Sequence, residues 1–477
     1  MNTFANAVRN QSARTLNGMK ARASTANPAV DLFFKIGASR GQNIIPDFTA
    51  ARVFDTETAL RIALWARDVR GGAGERKLFR DILLDLETSD RDSLMRILPK
   101  VPEMGRWDDL LLDWKSVEVK GAVVDLIRNA LANNNGLCAK WMPRKGDKAV
   151  ALRTALGWTP KYYRKRLVEL TKVVESQMCA KEWDKINYSH VPSVASSRYK
   201  KAFNRHTPDR FKAYVEALAK GDPSVKVNAS AIYPYDVLRG FSNAGPYHKV
   251  SYTREELMHL TAQWEALPNY VGDANILPLV DVSGSMWCPV GGDIKSGLQC
   301  IDIAVSLGLY CADKNKGKFK DTFLTFSSRP ELLHLTGNIV DKVKQMNSST
   351  WGGSTDIIAA FKKILQVAKE GNVPQEEMPD ALLIMSDMQF NYCADFDDSA
   401  MESIERQFTA AGYNVPAVVF WNINAYSNVP VSFEKRGTAL VSGFSPTILK
   451  SVLAADFTDM TPEGIMKKTV NVPRYDI

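Results

Sequence analysis

The sequence predicts two domains: an all-α helical-repeat domain over residues 1–270 and a doubly wound α/β domain over residues 271–477. Three observations predict it. Apolar residues recur at helical spacing through the first 270 positions. Past residues 268–273 the period changes, and short apolar runs alternate with helical stretches, the pattern of a mostly parallel sheet covered on both faces. Charge divides at the same place: residues 1–270 carry 43 Lys and Arg against 29 Asp and Glu, whereas residues 271–477 carry 18 against 24. A net of +14 beside a net of −6 points to two domains with different partners.

In the first domain, Ala59, Ile62, Ala63 and Ala66 lie at helical spacing within 55–70, and the glycines of 71–74 break that helix. A second helix follows over 75–86, with Leu78, Phe79, Ile82, Leu83 and Leu86 on one face. Further helices are expected near 107–115, 118–133, 159–176, 196–205, 208–219, 233–240 and 253–267. Repeated helix pairs of this kind suggest an α-solenoid.

In the second domain, strands are expected at 276–280, 320–326, 331–335, 381–385, 415–421 and 438–441. Helices are expected at 292–312, 337–346, 355–369, near 400–412, and at 446–453, the last clear helix. Open parallel sheets bind ligands beyond the carboxyl ends of their strands. Three loops at such ends offer hard oxygen donors: Asp281, Ser283 and Ser285 in one, Ser354, Thr355 and Asp356 in the next, and Ser386 and Asp387 in the third. Carboxylates and hydroxyls in this number suit Mg²⁺, or another divalent cation that takes oxygen ligands.

Composition excludes several classes. Apolar residues make up 45% and charged residues 24% of the 477, ordinary for a soluble globular chain. No uncharged apolar run reaches the length of a membrane span, and the first residues do not read as a secretory signal. The six cysteines show no C-x-x-C pair, and the five histidines no zinc-binding spacing. A cytoplasmic protein with reduced thiols and no membrane partner is the expectation. Paired acid–base or Ser/His/Asp signatures are not evident either, so the chain is expected not to be an enzyme.

A basic belt stands out in the helical domain. From Lys140 to Lys212 there are 18 Lys and Arg against 6 Asp and Glu. Lys161, Arg164, Lys165 and Lys172 fall near one helical face, and Arg198, Lys201 and Arg205 on another. Lys140, Arg144, Arg166 and His206 belong to the same belt. Aromatic residues interleave: Trp158, Tyr162, Tyr163, Trp183, Tyr188, Tyr199 and Phe203. Cations that neutralise phosphates, with rings free to stack, are what single-stranded RNA requires. Residues 71–77, rich in glycine, read as a helix-to-helix turn, with Arg70 and Arg76 as possible phosphate contacts.

The Asp281, Ser283, Ser285 spacing resembles the D-x-S-x-S motif of the metal-ion-dependent adhesion site in von Willebrand factor A domains. By that resemblance the family's threonine falls on Thr355 and its second aspartate on Asp387. Where many members read Gly-Gly-Thr this chain reads Gly-Gly-Ser-Thr, so Ser354 is the alternative ligand. A helical-repeat domain followed by an A domain resembles the Ro autoantigen, or TROVE-module, family. The stretches that carry a closer likeness to a Ro-like branch are 27–34, 67–76, 105–111, 140–144, 180–184, 188–193, 420–422 and 441–445. The resemblance implies HEAT-like repeats closed into a ring by a Rossmann-like A domain. It also implies a ribonucleoprotein that binds small structured RNAs or single-stranded 3′ ends. The rival expectation is a protein–protein adaptor whose metal site grips an acidic partner.

Overall fold

The apolar runs after residue 275 become strands because each is short, bounded by turn residues, and buried on both faces. The computed structural model describes residues 13–227, 232–239, 254–294, 297–326, 329–348, 356–391, 400–426 and 428–477. It opens with a small antiparallel pair, β1 (Ala13–Arg14) and β2 (Lys20–Ala21). Helices follow: α1 (Pro28–Ile36), α2 (Ile45–Phe54), α3 (Thr56–Arg67), α4 (Lys77–Ser89), α5 (Arg91–Ile97), α6 (Val101–Met104) and α7 (Val117–Ala132). Next come α8 (Gly136–Trp141), α9 (Gly146–Ala155), α10 (Pro160–Leu170), α11 (Val174–Cys179), α12 (Ser193–His206), α13 (Pro208–Ala219), α14 (Pro234–Leu238) and α15 (Arg254–Glu265).

The starts of these helices are written in the sequence. Asn27 accepts from the amides of Ala29 and Val30 with Pro28 in the first turn, Asp55 from Thr58, Asp90 from Ser93, and Thr159 from Tyr162. Each cap satisfies an amide that has no partner within its helix.

The second half alternates strand and helix: β3 (Ile276–Asp281), α16 (Cys300–Lys314), β4 (Thr322–Phe326), β5 (Leu332–His334), α17 (Ile339–Ser348), α18 (Ile357–Glu370), β6 (Ala381–Ser386), α19 (Ala400–Ala410), β7 (Ala417–Asn422), β8 (Thr438–Ser442), α20 (Leu449–Leu453) and α21 (Pro462–Val470). The sheet order is β5-β4-β3-β6-β7-β8, parallel except for β5. This is the doubly wound A-type arrangement, preceded by an all-α region. From β3 the chain leaves to β4 on one side, while β6 flanks β3 on the other. The carboxyl ends of β3 and β6 therefore form the topological switch point.

Four expectations differ from what is found. The helix near 107–115 is a single 3₁₀ turn over Trp107–Leu110, because the Asp109 carboxylate that accepts from the Arg106 amide is drawn to Arg67 and Arg80. The stretch 159–176 is two helices, α10 and α11, broken at Thr171. The helix drawn from 292 begins at Cys300, since Gly291, Gly292 and Gly297 all take positive φ. A further helix, α21, follows the one expected to be last.

The helical and α/β regions share one continuous apolar core, with Phe33, Phe34 and Trp65 in the same cluster as Trp421 and Val441. Helix α1 covers β8. Ser442 donates to the carbonyl of Phe33 (2.7 Å), Gly37 N–H donates to Ser442 Oγ (3.1 Å), and Asn422 donates to the carbonyl of Phe34 (3.0 Å). A side chain at Gly37 would meet the Ser442 carbonyl at 2.7 Å, so the approach requires glycine.

The segment 67–76 is the helix-to-helix turn between α3 and α4, held by ion pairs of which one reaches the α/β region. Arg67 is buried against Asp109 (2.7 Å), Asp68 takes Arg474 and the Tyr475 hydroxyl from the C-terminal turn, and Glu75 takes Arg40 (2.5 Å). The basic belt divides between two cores: α10 stands on the large one through Tyr163 and Leu167, whereas α12 stands on a smaller one made of Ile186, Tyr188, Val191, Phe203, Phe211, Tyr214 and Val215.

That small core meets α15 at His259, buried beside Phe211, with Nε2 3.3 Å from Ser196 Oγ. Burial, reinforced by the charge of Lys200, pushes its pKa down to about 4. A histidine depressed in the folded state contributes stability above its unfolded value that is lost as pH falls toward the folded one. Between about pH 7 and pH 5 this loss is on the order of 2 kcal/mol. The protection of residues 254–265 against hydrogen exchange, taken relative to the intrinsic exchange rate at each pH, should fall as pH drops over that interval, and His259→Leu should remove the fall. Equal pH responses in both proteins would count against the assignment.

Candidate metal centre and basic face

β3 and β6 pair in parallel with Val280 opposite Met385, which sets Asp281 and Ser386 at neighbouring strand ends. Asp281, Ser386 and Asp387 are fully buried, and Ser283 nearly so. The turn after β3 folds on Asp281: the Ser283 amide donates to Oδ1 (2.9 Å) and the Ser386 hydroxyl to Oδ2 (2.6 Å). Ser283 Oγ and Ser285 Oγ lie 3.2 Å apart. Asp387 accepts from the Gln389 amide at Oδ1 (3.2 Å) and lies within reach of the Ser285 hydroxyl, while its Oδ2 is buried with no hydrogen-bond partner among the described residues. Met388, the next residue, takes a positive φ of 62°, which turns the chain sharply after Asp387 at a steric cost.

The electrostatics follow from this geometry. Burial, with the negative charge of Asp387 second, pushes Asp281 up to about 7. Burial likewise raises Asp387. Two carboxylates taken out of water side by side disfavour joint ionisation unless a cation offsets them. An orphaned carboxylate oxygen, a second buried carboxylate and two hydroxyls about one octahedral edge apart, roughly 2.9 Å for Mg²⁺, make a donor set that fits such a cation. Asp281, Ser283, Ser285 and Asp387 would hold it. Thr355 and its alternative Ser354 lie outside the described residues. Asp356, the next position, caps α18 by accepting from the Ala359 amide (2.8 Å).

Sequence reasoning missed what covers this centre. The N-terminal hairpin sits on the chain beyond Asp387: the Leu16 amide donates to Gln389 Oε1 (2.7 Å), Asn17 to the Gln389 carbonyl (2.6 Å), and Thr15 to the Phe390 carbonyl (2.5 Å). Gln389 in turn donates to Asn428 (2.7 Å). These contacts span hundreds of residues and leave no local pattern to read.

The belt residues separate into two groups. Lys161, Arg164 and Lys165 are exposed on α10, Lys172 just beyond it, and Arg198, Lys201, Arg205 and His206 on α12. Among the described residues, Lys161, Lys165, Lys172, Lys201 and Arg205 form no ion pair with a carboxylate. Arg166 does not join them. It is part-buried, donates to the Leu131 carbonyl (3.1 Å) and Asn134 Oδ1 (2.6 Å), and pairs with Glu169, so it ties α10 to the end of α7. Arg144 donates to Thr171 (2.9 Å). Lys140 and Lys172, with Lys185 and His190, line a cleft of about 720 Å³ that also holds Glu175 and Glu182. Among the aromatics, Tyr163, Tyr188 and Phe203 are core. Tyr162 is 51% exposed, edge-on to Trp158, and Trp183 stacks flat on His206 at 4.0 Å.

Comparison with known proteins places these features. A family model described as a domain of unknown function (DUF7788) matches residues 275–473, and a second (DUF2828) matches residues 147–275. Uncharacterized protein L728 of Acanthamoeba polyphaga mimivirus is 31% identical over 507 residues, covering 93% of this chain and 84% of the viral protein. The chain belongs to the family of that viral protein. Among solved structures, the Ro (RSR) protein of Deinococcus radiodurans aligns over 93% of this chain and 99% of its own, with 14% identity and a TM-score of 0.47. The first family match spans β3, β6 and the whole oxygen-donor cluster, and the second spans the belt from α10 to α15.

Metal addition tests the centre. A ligand at about 100 times its Kd that binds only the folded state adds about 2.7 kcal/mol. A carboxyl raised in the folded state contributes stability that is present at low pH and lost as pH rises through its folded value, here about 7. Calorimetry in chelator should therefore show Tm falling as pH rises from about 4 to about 7 and levelling off beyond. Mg²⁺ should raise Tm, more at about pH 8 than at about pH 5.5. Asp387→Asn should weaken both responses. An unchanged Tm on adding Mg²⁺ to the native chain at the higher pH would exclude the centre.

Proposed function

We propose that the chain is a non-catalytic RNA-binding protein. In this reading the basic face of α10 and α12 holds the phosphates, and the α/β region carries a divalent-cation centre. The observation that carries the reading is the set of exposed cations, Lys161 and Lys165 on α10 with the exposed ring of Tyr162, Lys172 just beyond that helix, and Lys201 and Arg205 on α12, none of which pairs with a carboxylate among the described residues. Surface cations of a folded protein commonly pair with nearby carboxylates, as Lys185 does with Glu182. Cations kept unpaired and grouped are suited to a polyanion, and a ring within the group offers a stacking platform for a base. The motif resemblance to Ro proteins, which bind RNA, points the same way.

A face of lysines and arginines neutralises charge and offers few proton acceptors, which fits binding rather than turnover. At the other site, Asp281, Ser283, Ser285 and Asp387 would hold Mg²⁺. Bound there, the ion supplies a Lewis-acidic position for a phosphate oxygen or a carboxylate. The residues themselves do the positioning: Ser386 and the Ser283 amide fix both oxygens of Asp281, and the Gln389 amide orients Asp387. No helix among the described residues is long and apolar enough to cross a membrane.

RNA affinity measured against salt tests the proposal. Each phosphate neutralised on a single strand contributes about −0.7 to the slope of log K against log salt. Five such contacts give a slope of roughly −3 to −4. Lys161→Glu with Lys165→Glu should weaken binding about tenfold or more and flatten the slope by about 1.4, whereas Asp281→Ala should change it little. A negligible slope would sink the RNA reading. Mg²⁺-dependent capture of a protein, without RNA and lost in Asp281→Ala, would establish the adaptor instead.

A further inference from the structure

Two thiols stand together beside the metal loop, and neither the centre nor the basic face uses them. Cys288 lies three residues beyond Ser285, and Cys300 begins α16. Their sulfurs are 3.4 Å apart, and the Asn424 side-chain amide points at Cys288 Sγ from 3.4 Å.

The backbone explains the approach. Pro289 and Gln299 form an antiparallel bridge, the Cys300 amide donates to the Cys288 carbonyl (3.1 Å), and the Val290 amide donates to the Leu298 carbonyl (2.9 Å). In this register Cys288 and Cys300 are directly opposite residues. Directly opposite residues of an antiparallel pair have Cα atoms about 4.5–5.5 Å apart, within the roughly 4.4–6.8 Å that a disulfide spans. The two can therefore be linked without moving the chain.

We propose that Cys288 and Cys300 are a redox-active pair that forms a reversible disulfide by exchange with a small-molecule disulfide. Cys288 is half-buried and Cys300 is 1% exposed, so Cys288 meets the oxidant. Its thiolate attacks one sulfur of the small disulfide, forming a mixed disulfide and releasing one thiolate. Cys300 then loses its proton to solvent and attacks the Cys288 sulfur, releasing the second. Two protein thiols and one small disulfide become one protein disulfide and two small thiols. The electron pair passes from the protein to the reagent.

The link has a structural consequence. It would tie the end of the metal loop covalently to the first turn of α16, the helix packed on β3. The intervening hairpin already rests on the helical region. Gly291, at φ +64°, faces the Arg40 carbonyl, where a Cβ would come within 2.6 Å, and Gly41 faces Gly291 in return. Oxidation would thus pin the strand end that carries Asp281, Ser283 and Ser285 between α16 and the turn after α1. The pair stands on its own geometry, whether or not the centre holds a cation.

The test uses the full chain in glutathione buffers of increasing oxidised fraction, with free thiols then alkylated and peptides mapped. Cleavage after Lys295 places the two cysteines on separate tryptic peptides. Native protein should lose both alkylatable thiols together, drop in mass by two hydrogens, and yield one cross-linked peptide pair that dithiothreitol reverses. Cys300→Ser should instead accumulate glutathione on Cys288, and Cys288→Ser should leave Cys300 alkylatable once the chain is unfolded. Native protein that stops at a Cys288–glutathione adduct, or that keeps both thiols through the oxidised series, would overturn the proposal.

Discussion

Asp281 and Asp387 are buried side by side at the ends of adjacent parallel strands, and much of the second half of the molecule is arranged around that fact. An ionised carboxylate removed from water costs several kcal/mol unless it is hydrogen-bonded and paired with a cation. The chain supplies the first requirement in full for Asp281, through Ser283 and Ser386, and only in part for Asp387. From outside the α/β unit, the N-terminal hairpin fixes the chain just beyond Asp387 by its hydrogen bonds to Gln389 and Phe390. A hole for a positive charge is the simplest physical account of so much burial with so little compensation.

The same architecture keeps two kinds of surface apart. The oxygen-donor cluster rests on the large core that runs from α1 through the sheet, at the strand ends, whereas the basic belt spans from that core at Tyr163 and Leu167 on α10 to the small core around Tyr188 and Phe203 under α12. The joint between the helical and α/β regions is apolar, hydrogen-bonded through Ser442 and Asn422, and ionic at one place, Arg474 with Asp68. Beside it Arg67 with Asp109 and Arg40 with Glu75 are largely buried pairs that brace the helical side. Such pairs add little net stability relative to apolar replacements, but removing one partner strands a buried charge. The one at Asp68 fixes how the two regions meet there.

What was legible in the sequence was what is local. Ile276 to Val280 reads as a strand from its apolar run, and Asp281, Ser283 and Ser285 read as a donor turn from their alternation. Helix starts read from Asp55 and Thr159, where helical spacing begins. What was not legible depended on distant partners. Nothing near Asp109 signals that its carboxylate belongs to Arg67 and Arg80, so a 3₁₀ turn was expected to be a full helix. Helical spacing put Arg166 in the belt, yet its partners at Leu131 and Asn134 make it a brace. The glycines of 71–74 read as a helix-to-helix turn, which they are, but spacing does not show what they pack against. Gly72 packs against the Trp65 carbonyl and Gly74 against Tyr233, where side chains would collide. Spacing also says nothing of Cys288 and Cys300, which are twelve positions apart and become neighbours only through the hairpin register.

The account therefore assigns polyanion binding to one surface and cation binding to another. Ultraviolet cross-linking of thiouridine-substituted RNA to the intact protein, read by peptide mass spectrometry, tests that division most directly. Cross-links should concentrate on the peptides of α10 and α12, with Tyr162 among the modified residues. Cross-links confined to the loops around Asp281 and Asp387, or spread evenly over the surface, would contradict it.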